Sequence, residues 1–375
     1  MTQPLELESD AASPELLTYL SVIPDPRIER NKKHDLAEML FVASCAVISG
    51  AEGWSDIVEC AESKLDNGIP VDDTFARVLS RISPKALNDC FLCWTHALNV
   101  HSDGLIIAID GKTVRRSHNR RENRSPLHLV RAWATEAGIA LRQVATDVKS
   151  NEITAIPELL RQLELKGAVV TLDAMGCQRA VTEQIKTQKG DYVLALKGNQ
   201  SALNEAVRDY FATARAQDFQ GVDFTYHESL NTGHGRIEQR RCWACADLST
   251  LPAPQRWAGL SSIIMVESVR HIDDKIRTAQ RFFISSLKPE ADKIVPAIRA
   301  HWAIENGCHW VLDVTFREDD SRIRRGHGAH NFSTLCQMAL SVLKHEPSKV
   351  SIRKKRIRAG HNDRCREQVL ASANI

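Results

Sequence analysis

The spacing of apolar and polar positions changes character once along the chain. From residue 14 to about residue 100 it is helical. Leu36 to Ile48 is a largely apolar run of strong helix formers. Asp72-Asp73 stands before Phe75, Val78, Leu79 and Ile82, the i, i+3, i+4, i+7 stripe of a helix behind an acidic cap. Gly68-Ile69-Pro70 reads as a linker, and Ser83-Pro84 as the cap and first residue of a helix running through Leu98. These elements predict a small all-helical domain over 14–102, preceded by a disordered 1–13. An all-helical unit of this kind is compatible with DNA binding.

After Ser102-Asp103-Gly104 the pattern turns to short apolar runs. Leu105 to Ile109 suits a buried central strand and ends in Asp110-Gly111-Lys112. Leu127–Thr135 and Ile139–Thr146, split by Glu136-Ala137-Gly138, predict a hairpin. Helices follow over 154–166 and 178–188. They alternate with strands over Ala168–Leu172, ending in Asp173, and Tyr192–Leu196, ending in Lys197-Gly198-Asn199. The hairpin pairs antiparallel, and the later strands return through helices, so right-handed crossovers make them parallel. This order is the ribonuclease-H-like arrangement. Residues 222–285 break the alternation with strand-like pieces, a β-rich insertion. Helix returns over about 289–312 and 331–343. The expected fold is therefore α/β, with a catalytic domain over 103–345 and a basic tail over 346–375.

Composition adds bounds. The chain has 375 residues, 43% hydrophobic and 26% charged, so it has material for a large core and is not disordered as a whole. No run approaches the ~18 apolar residues of a membrane span. The N-terminus, MTQPLELESDAASPELL, has neither a basic leader nor an apolar core, so a cytoplasmic protein is expected, nucleoid-associated when bound to DNA. The net charge is only +2, but it is unevenly spread. Lys112 to Arg124 holds six basic residues against Glu122, and Lys344 to the end holds nine against three acids. Such blocks bind nucleic acid or form solvated faces. Of ten cysteines, Cys90/Cys93 and Cys242/Cys245 form C-x-x-C pairs. They lie in unlike contexts, so no zinc site is expected and buried thiols are the better reading.

Asp110 and Asp173 each close an apolar strand, where ligands of open α/β sheets bind. If those strands are neighbours about 4.8 Å apart, the two carboxylates can share a cation. The segment Arg299 to Trp310 crowds polar and aromatic residues together. Trp302, Glu305 and His309 are spaced for one helix face, with Asp313 two turns beyond Glu305 as the rival acid. Three carboxylates suit phosphodiester cleavage. Two divalent ions about 3.5–4 Å apart neutralise the attacking and leaving oxygens, and Mg²⁺ prefers such oxygen ligands. No phosphate-binding G-x-x-x-x-G-K-[ST], no H-E-x-x-H and no G-x-S-x-G competes.

At these residues the chain resembles the ISAs-type, or H-repeat-associated, insertion-sequence transposases of the DDE superfamily. The resemblance rests on Ile109-Asp110-Gly111-Lys112, Thr171-Leu172-Asp173-Ala174, Ala195 through Gln200, Gly233 through Glu238, and Arg299 through Asp313. Ile23-Pro24-Asp25-Pro26-Arg27 and Gly68 through Phe75 are similar to the helical segment that precedes that catalytic domain. The likeness covers about 15–345. It implies Asp110, Asp173 and Glu305 as catalytic, metal-binding acids using Mg²⁺, or Mn²⁺ in its place. Related transposases carry an Arg four before this Glu and a Lys seven after. Here His301 and Leu312 stand there, and Arg299, His301 and His309 are the candidate replacements. Lys112, Arg115, Arg116, Lys197, Arg236, Arg353, Lys354, Lys355 and Arg356 complete the expected DNA contacts. The implied activity is metal-dependent cleavage at element ends and strand transfer into target DNA, by a homodimer or higher multimer on DNA. A nuclease that cuts without joining, or a DNA-binding remnant, are the alternatives.

Overall fold

The computed structural model describes residues 16–29, 32–61, 68–97, 104–120, 122–146, 152–233, 236–272 and 275–373. The first five helices are α1 (Leu16–Ser21), α2 (Leu36–Ile48), α3 (Trp54–Cys60), α4 (Asp72–Leu79) and α5 (Pro84–Ala97). Asp35 caps α2 by accepting from the backbone amides of Ala37 and Glu38. Next come β1 (Ile106–Val114), β2 (Leu127–Ala134), β3 (Ile139–Ala145), α6 (Glu152–Arg161), β4 (Val169–Leu172), α7 (Arg179–Thr187), β5 (Asp191–Leu196) and α8 (Ser201–Ala216). Four long strands follow, β6 (Phe224–Gly233), β7 (Arg236–Cys245), β8 (Ser262–Ile272) and β9 (Lys275–Ser285). Helices α9 (Ala291–Ile304), α10 (Trp310–Val314), α11 (Gly328–His345), α12 (Ile352–His361) and α13 (Asp363–Ala371) complete the described chain. Among the described residues no helix is long and apolar enough to cross a membrane.

All nine strands form one sheet in the order β3-β2-β1-β4-β5-β9-β8-β7-β6. β1, β4 and β5 run parallel, and β2, β3 and β9 pair antiparallel to their neighbours. Period-two alternation splits each central strand between two cores. Ile107, Ile109, Val170 and Leu172 enter the cluster beneath α6, α7 and α8. Ala108 enters the opposite cluster, with Ile304, Cys308 and the helical layer. Asp110 therefore belongs to the α9 side of the sheet.

One strand expectation is corrected here. β1 does not end at Ile109. Its parallel ladder with β4 stops at Ile109–Leu172, but its antiparallel ladder with β2 continues to Val114–Leu127, so Asp110 lies within the strand. The segment 222–285, expected as a β-rich insertion, continues the same sheet. The last four residues of β9 pair with β5, from Leu196–Phe282 to Val193–Ser285, and β8, β7 and β6 extend the same sheet outward.

The helical segment at the start of the chain shares its core with the end. Leu20, Leu40, Val47, Phe75 and Phe91 join Leu335, Leu340 and Leu343 of α11, and Ala359, Val369 and Ala373 beyond it, in one buried cluster. Asn331, at the start of α11, donates to the carbonyls of Leu79 and Ile82 and so ties α11 to the α4–α5 connection. The basic stretch after residue 346 belongs to this layer, and two of its expected DNA contacts are corrected by it. Lys355 is buried and donates to the carbonyls of Leu343 and Glu346. Arg356 is buried over the Phe316 ring and donates to the carbonyls of Val47, Ala51 and Thr315. Both cations satisfy backbone acceptors that water cannot reach, so neither is available to phosphate. Arg353 and Lys354 remain exposed.

Removing the Arg356 guanidinium strands three carbonyls. Arg356→Ala is expected to cost about 2–4 kcal/mol in chemical denaturation, whereas exposed Arg353→Ala should stay within about 0.5 kcal/mol.

Candidate active site

Asp110 and Asp173 follow the register pair Ile109–Leu172 on adjacent parallel strands, so the sheet places them side by side. The Asp173 carboxylate accepts from the backbone amides of Met175 at 2.9 Å and Gly176 at 3.3 Å, which fixes the turn after β4. Lys197 is exposed beyond the end of β5, the third parallel strand, and Asn199 ties its loop to the Ala174 carbonyl.

Helix α9 crosses this side of the sheet. His301 lies 3.2 Å (Nδ1) from the Thr171 hydroxyl of β4. Burial lowers its pKa, and the neighbouring charges of Asp110, Asp173 and Glu305 oppose that shift without overcoming it. One imidazole thus stands within electrostatic reach of all three acids. His301 is accordingly held by Thr171 among the carboxylates. Arg299, two residues earlier, is exposed. Among the described residues no three acidic, His or Cys side chains already stand at ligand distance from one point.

Glu305 and His309 do not share a helix face. Residues Glu305–His309 form a π-helical turn between α9 and α10. The wider turn rotates His309 inward, to 7% exposure, while Glu305 stays exposed. A buried His309 cannot touch DNA, which corrects that expectation. Its Nε2 lies 3.4 Å from Asp110 Oδ2, and its Nδ1 lies 3.4 Å from Arg131 Nη1. Arginine only donates, so Nδ1 accepts and the ring proton sits on Nε2, facing Asp110. At 3.4 Å, Nε2 makes no full hydrogen bond, and the attraction is mainly electrostatic. Burial alone would raise the Asp110 pKa, but His309 and His301 bring it below its ordinary value, so the group is a carboxylate.

Arg131, opposite Asp110 on β2, was not singled out from the sequence. It is 1% exposed and donates to Glu318 at 2.6 Å, Ser333 at 2.9 Å and Gln143 at 3.2 Å. Its one signal was a lone cation inside the apolar run Leu127–Ala134. The acidic run Glu318-Asp319-Asp320 was missed as well. Lys112 is held between Asp313 at 2.6 Å and Asp319 at 3.1 Å, with 15% of its side chain exposed. That corrects Lys112 as a DNA contact and shows Asp313, the rival third acid, engaged by Lys112. Arg115 and Arg116 also meet Asp319 and Asp320, but keep 77% and 50% of their side chains exposed. Gly111 sits at a close approach that the ends of two side chains would have to yield to any Cβ. A Cβ there would lie 2.8 Å from His128 Nε2 and nearer still to the Glu152 carboxylate that His128 holds. The side chain of Arg236 lies outside the described residues, as do His234 and Gly235.

The donor set suits a hard divalent cation. Asp110 is ionised, and the second oxygen of Asp173 has no hydrogen-bond partner among the described residues. Cys242 and Cys245 are three apart on β7 and so face opposite sides of the sheet, which prevents them from sharing one zinc.

Residues 101–342 match the family described as Transposase DDE domain, and residues 17–95 match that described as DDE_Tnp_1-associated. Two Escherichia coli relatives carry provisional transposase names. YncI of strain O157:H7 is 41% identical over 96% of this chain and 95% of its own length. The H repeat-associated YhhI of strain K12 is 38% identical over 96% of this chain and 98% of its own. A solved piggyBac transposase synaptic complex with hairpin DNA covers 96% of this chain and 78% of that one, at 9% identity and a TM-score of 0.43, too slight a likeness to carry an argument. The chain belongs to the DDE transposase family, whose catalytic domains use divalent metal ions.

Breaking the buried Arg131–Glu318 pair from one side leaves an uncompensated charge. Glu318→Gln is expected to cost about 3–5 kcal/mol on unfolding, and Arg131→Met with Glu318→Leu less than Glu318→Gln alone. Denaturant titration of both variants measures the difference.

Proposed function

We propose that this DNA transposase cuts phosphodiester bonds at the ends of an insertion element and joins the freed 3′-hydroxyl to target DNA. Asp110, Asp173 and Glu305 are its metal-binding acids. One observation carries the reading: Asp110 and Asp173 each follow the last register pair, Ile109–Leu172, of two adjacent parallel strands, under a helix whose His301 lies within reach of both and of Glu305. The strand order β3-β2-β1-β4-β5, with an antiparallel hairpin followed by parallel strands, supports a ribonuclease-H-like core.

Bound divalent ions, Mg²⁺ or Mn²⁺ in its place, offset charge on the attacking and leaving oxygens and ease deprotonation of the nucleophile. The chain's own residues prepare the site. His309, steadied by Arg131, keeps Asp110 ionised, and the Asp173 turn holds its carboxylate beside Asp110. Exposed Lys197, Arg115 and Arg116 border the carboxyl ends of the strands and attract the phosphate backbone. Water attacks first and the freed 3′-hydroxyl second, each in line with its leaving group. Joining two ends to one target calls for at least two copies on DNA, in the cytoplasm, where the nucleoid supplies both.

Asp110→Asn, Asp173→Asn and Glu305→Gln are each expected to lower Mg²⁺-dependent cleavage of an end-containing duplex by at least about 10³-fold, with folding and DNA binding kept. Asp313→Asn, which only loosens Lys112, should retain measurable cleavage. Loss of cleavage in Asp313→Asn but not in Glu305→Gln would move the third acid. Cleavage by wild type without joined product would leave a nuclease.

A further inference from the structure

The outer sheet sorts its charges by side. Residues directly opposite one another across β6–β9 share a face, and one such row is Asn231, Glu238, Arg270 and Arg277. The next row is Ser229, Arg240, Ser268 and Ala279, and the third is His227, Cys242, Val266 and Arg281. Cys242 and Val266 pack with Ile294 and Val295 of α9, so this is the face turned toward α9. Its described strand residues carry Arg240, Arg270, Lys275, Arg277 and Arg281 against Glu238 alone. The other face carries Arg241 against Glu228 and Glu267. Asp273 and Asp274, between β8 and β9, lie outside the described residues.

The single acid on the α9 side is already engaged. Glu238 is buried between Arg240 at 2.6 Å and Arg270 at 2.7 Å. Lys275, Arg277 and Arg281 are exposed and have no ion-pair partner among the described residues. Arg299 of α9 joins them at a narrow cleft that it lines with Arg240, Arg281 and Trp302. Arg281 lies over the Trp302 ring, 4.6 Å from its centre. Buried donors on this face also lack partners among the described residues, namely Arg240 Nε, Ser229 Oγ and Asn231 Nδ2. Burial and the charges of Arg299 and Arg270 together lower the Arg240 pKa, despite Glu238. Cations that repel one another beside unused donors need an anion to complete them.

We infer that the α9-facing side of β6–β9 is a docking surface for the phosphate backbone of duplex DNA flanking the cut site, with the Arg240–Arg281–Arg299 cleft taking one phosphate. This rests on the transposase reading and adds to it where the duplex lies. Arg299 is six residues before Glu305, about 9 Å along the helix at 1.5 Å per residue. Cations spread over three strands, β7 to β9, fit a repeating charge, where a single small anion would need only the cleft.

The test is the salt dependence of duplex binding by the full chain. The triple change Arg277→Gln, Arg281→Gln and Arg299→Gln is expected to reduce the slope of log K against log salt by about 2–3, at about 0.9 per lost contact. The corresponding triple Lys variant should keep most of the slope, which separates lost charge from lost folding. Arg241→Gln, on the opposite face, should leave the slope unchanged. If wild type binds and cleaves duplex DNA and the Gln variant keeps its full slope, the docking surface is overturned while the transposase reading stands. If wild type neither binds nor cleaves duplex DNA, both fall. If Arg241→Gln lowers the slope as much as each Arg→Gln on the α9 side, the partition by face is overturned.

Discussion

The buried ion pair between Arg131 and Glu318 is the contact on which the site depends. Two charges sit at 1% and 3% exposure, where each alone would be several kcal/mol unfavourable. Arg131 comes from β2, and Glu318 from the segment after α10. Ser333 and Gln143, which complete the shell, come from α11 and β3. The pair therefore forms only when sheet, α11 and the segment after the π turn are all in place. Its remaining donor reaches His309, whose other nitrogen faces Asp110. Folding of the helical layer and the charge state of Asp110 are thus coupled through a single guanidinium.

The π-helical turn at Glu305–His309 follows from the same constraint. In a regular helix, side chains four apart point the same way, so Glu305 and His309 would both face solvent or both face the sheet. Here they are divided: Glu305 is exposed, and His309 is enclosed between Asp110 and Arg131. A π insertion costs helix regularity, and it is tolerated here because Ile304 and Leu312 on either side are fully buried and hold the helix down.

Most elements were legible because their causes are local. Asp110 and Asp173 stood out as acids closing apolar strands, and the parallel register then placed them together. What escaped was set by distant partners. The overrun of β1 past Ile109 depends on β2, which pairs with it through Val114. Arg356 and Lys355 read as part of a cationic run, because nothing near them in sequence reveals the carbonyls of Val47, Ala51 and Leu343 that they satisfy. Lys112 read as a phosphate contact because its partners Asp313 and Asp319 lie some two hundred residues away. Glu305 and His309 were spaced correctly for one helix face, and only tertiary packing shows that the helix is not regular there.

The near-neutral total charge therefore says little about where the chain meets an anion. Of the two basic blocks conspicuous in the sequence, the first is largely answered by Asp313, Asp319 and Asp320, and part of the second is spent inside the helical layer. Lys275, Arg277 and Arg281, which have no ion-pair partner among the described residues, are interleaved with Ile, Thr, Ala and Gln in β9, where no run forms in one dimension. A strand turns every second residue to the same side, so Lys275, Arg277 and Arg281 become neighbours only once β9 is extended. Alternation conceals the charge along the chain, and pairing four strands in register then gathers it on one face. That face carries Arg299 of α9, six residues before Glu305, so the helix that leads into Glu305 also lines the cationic cleft.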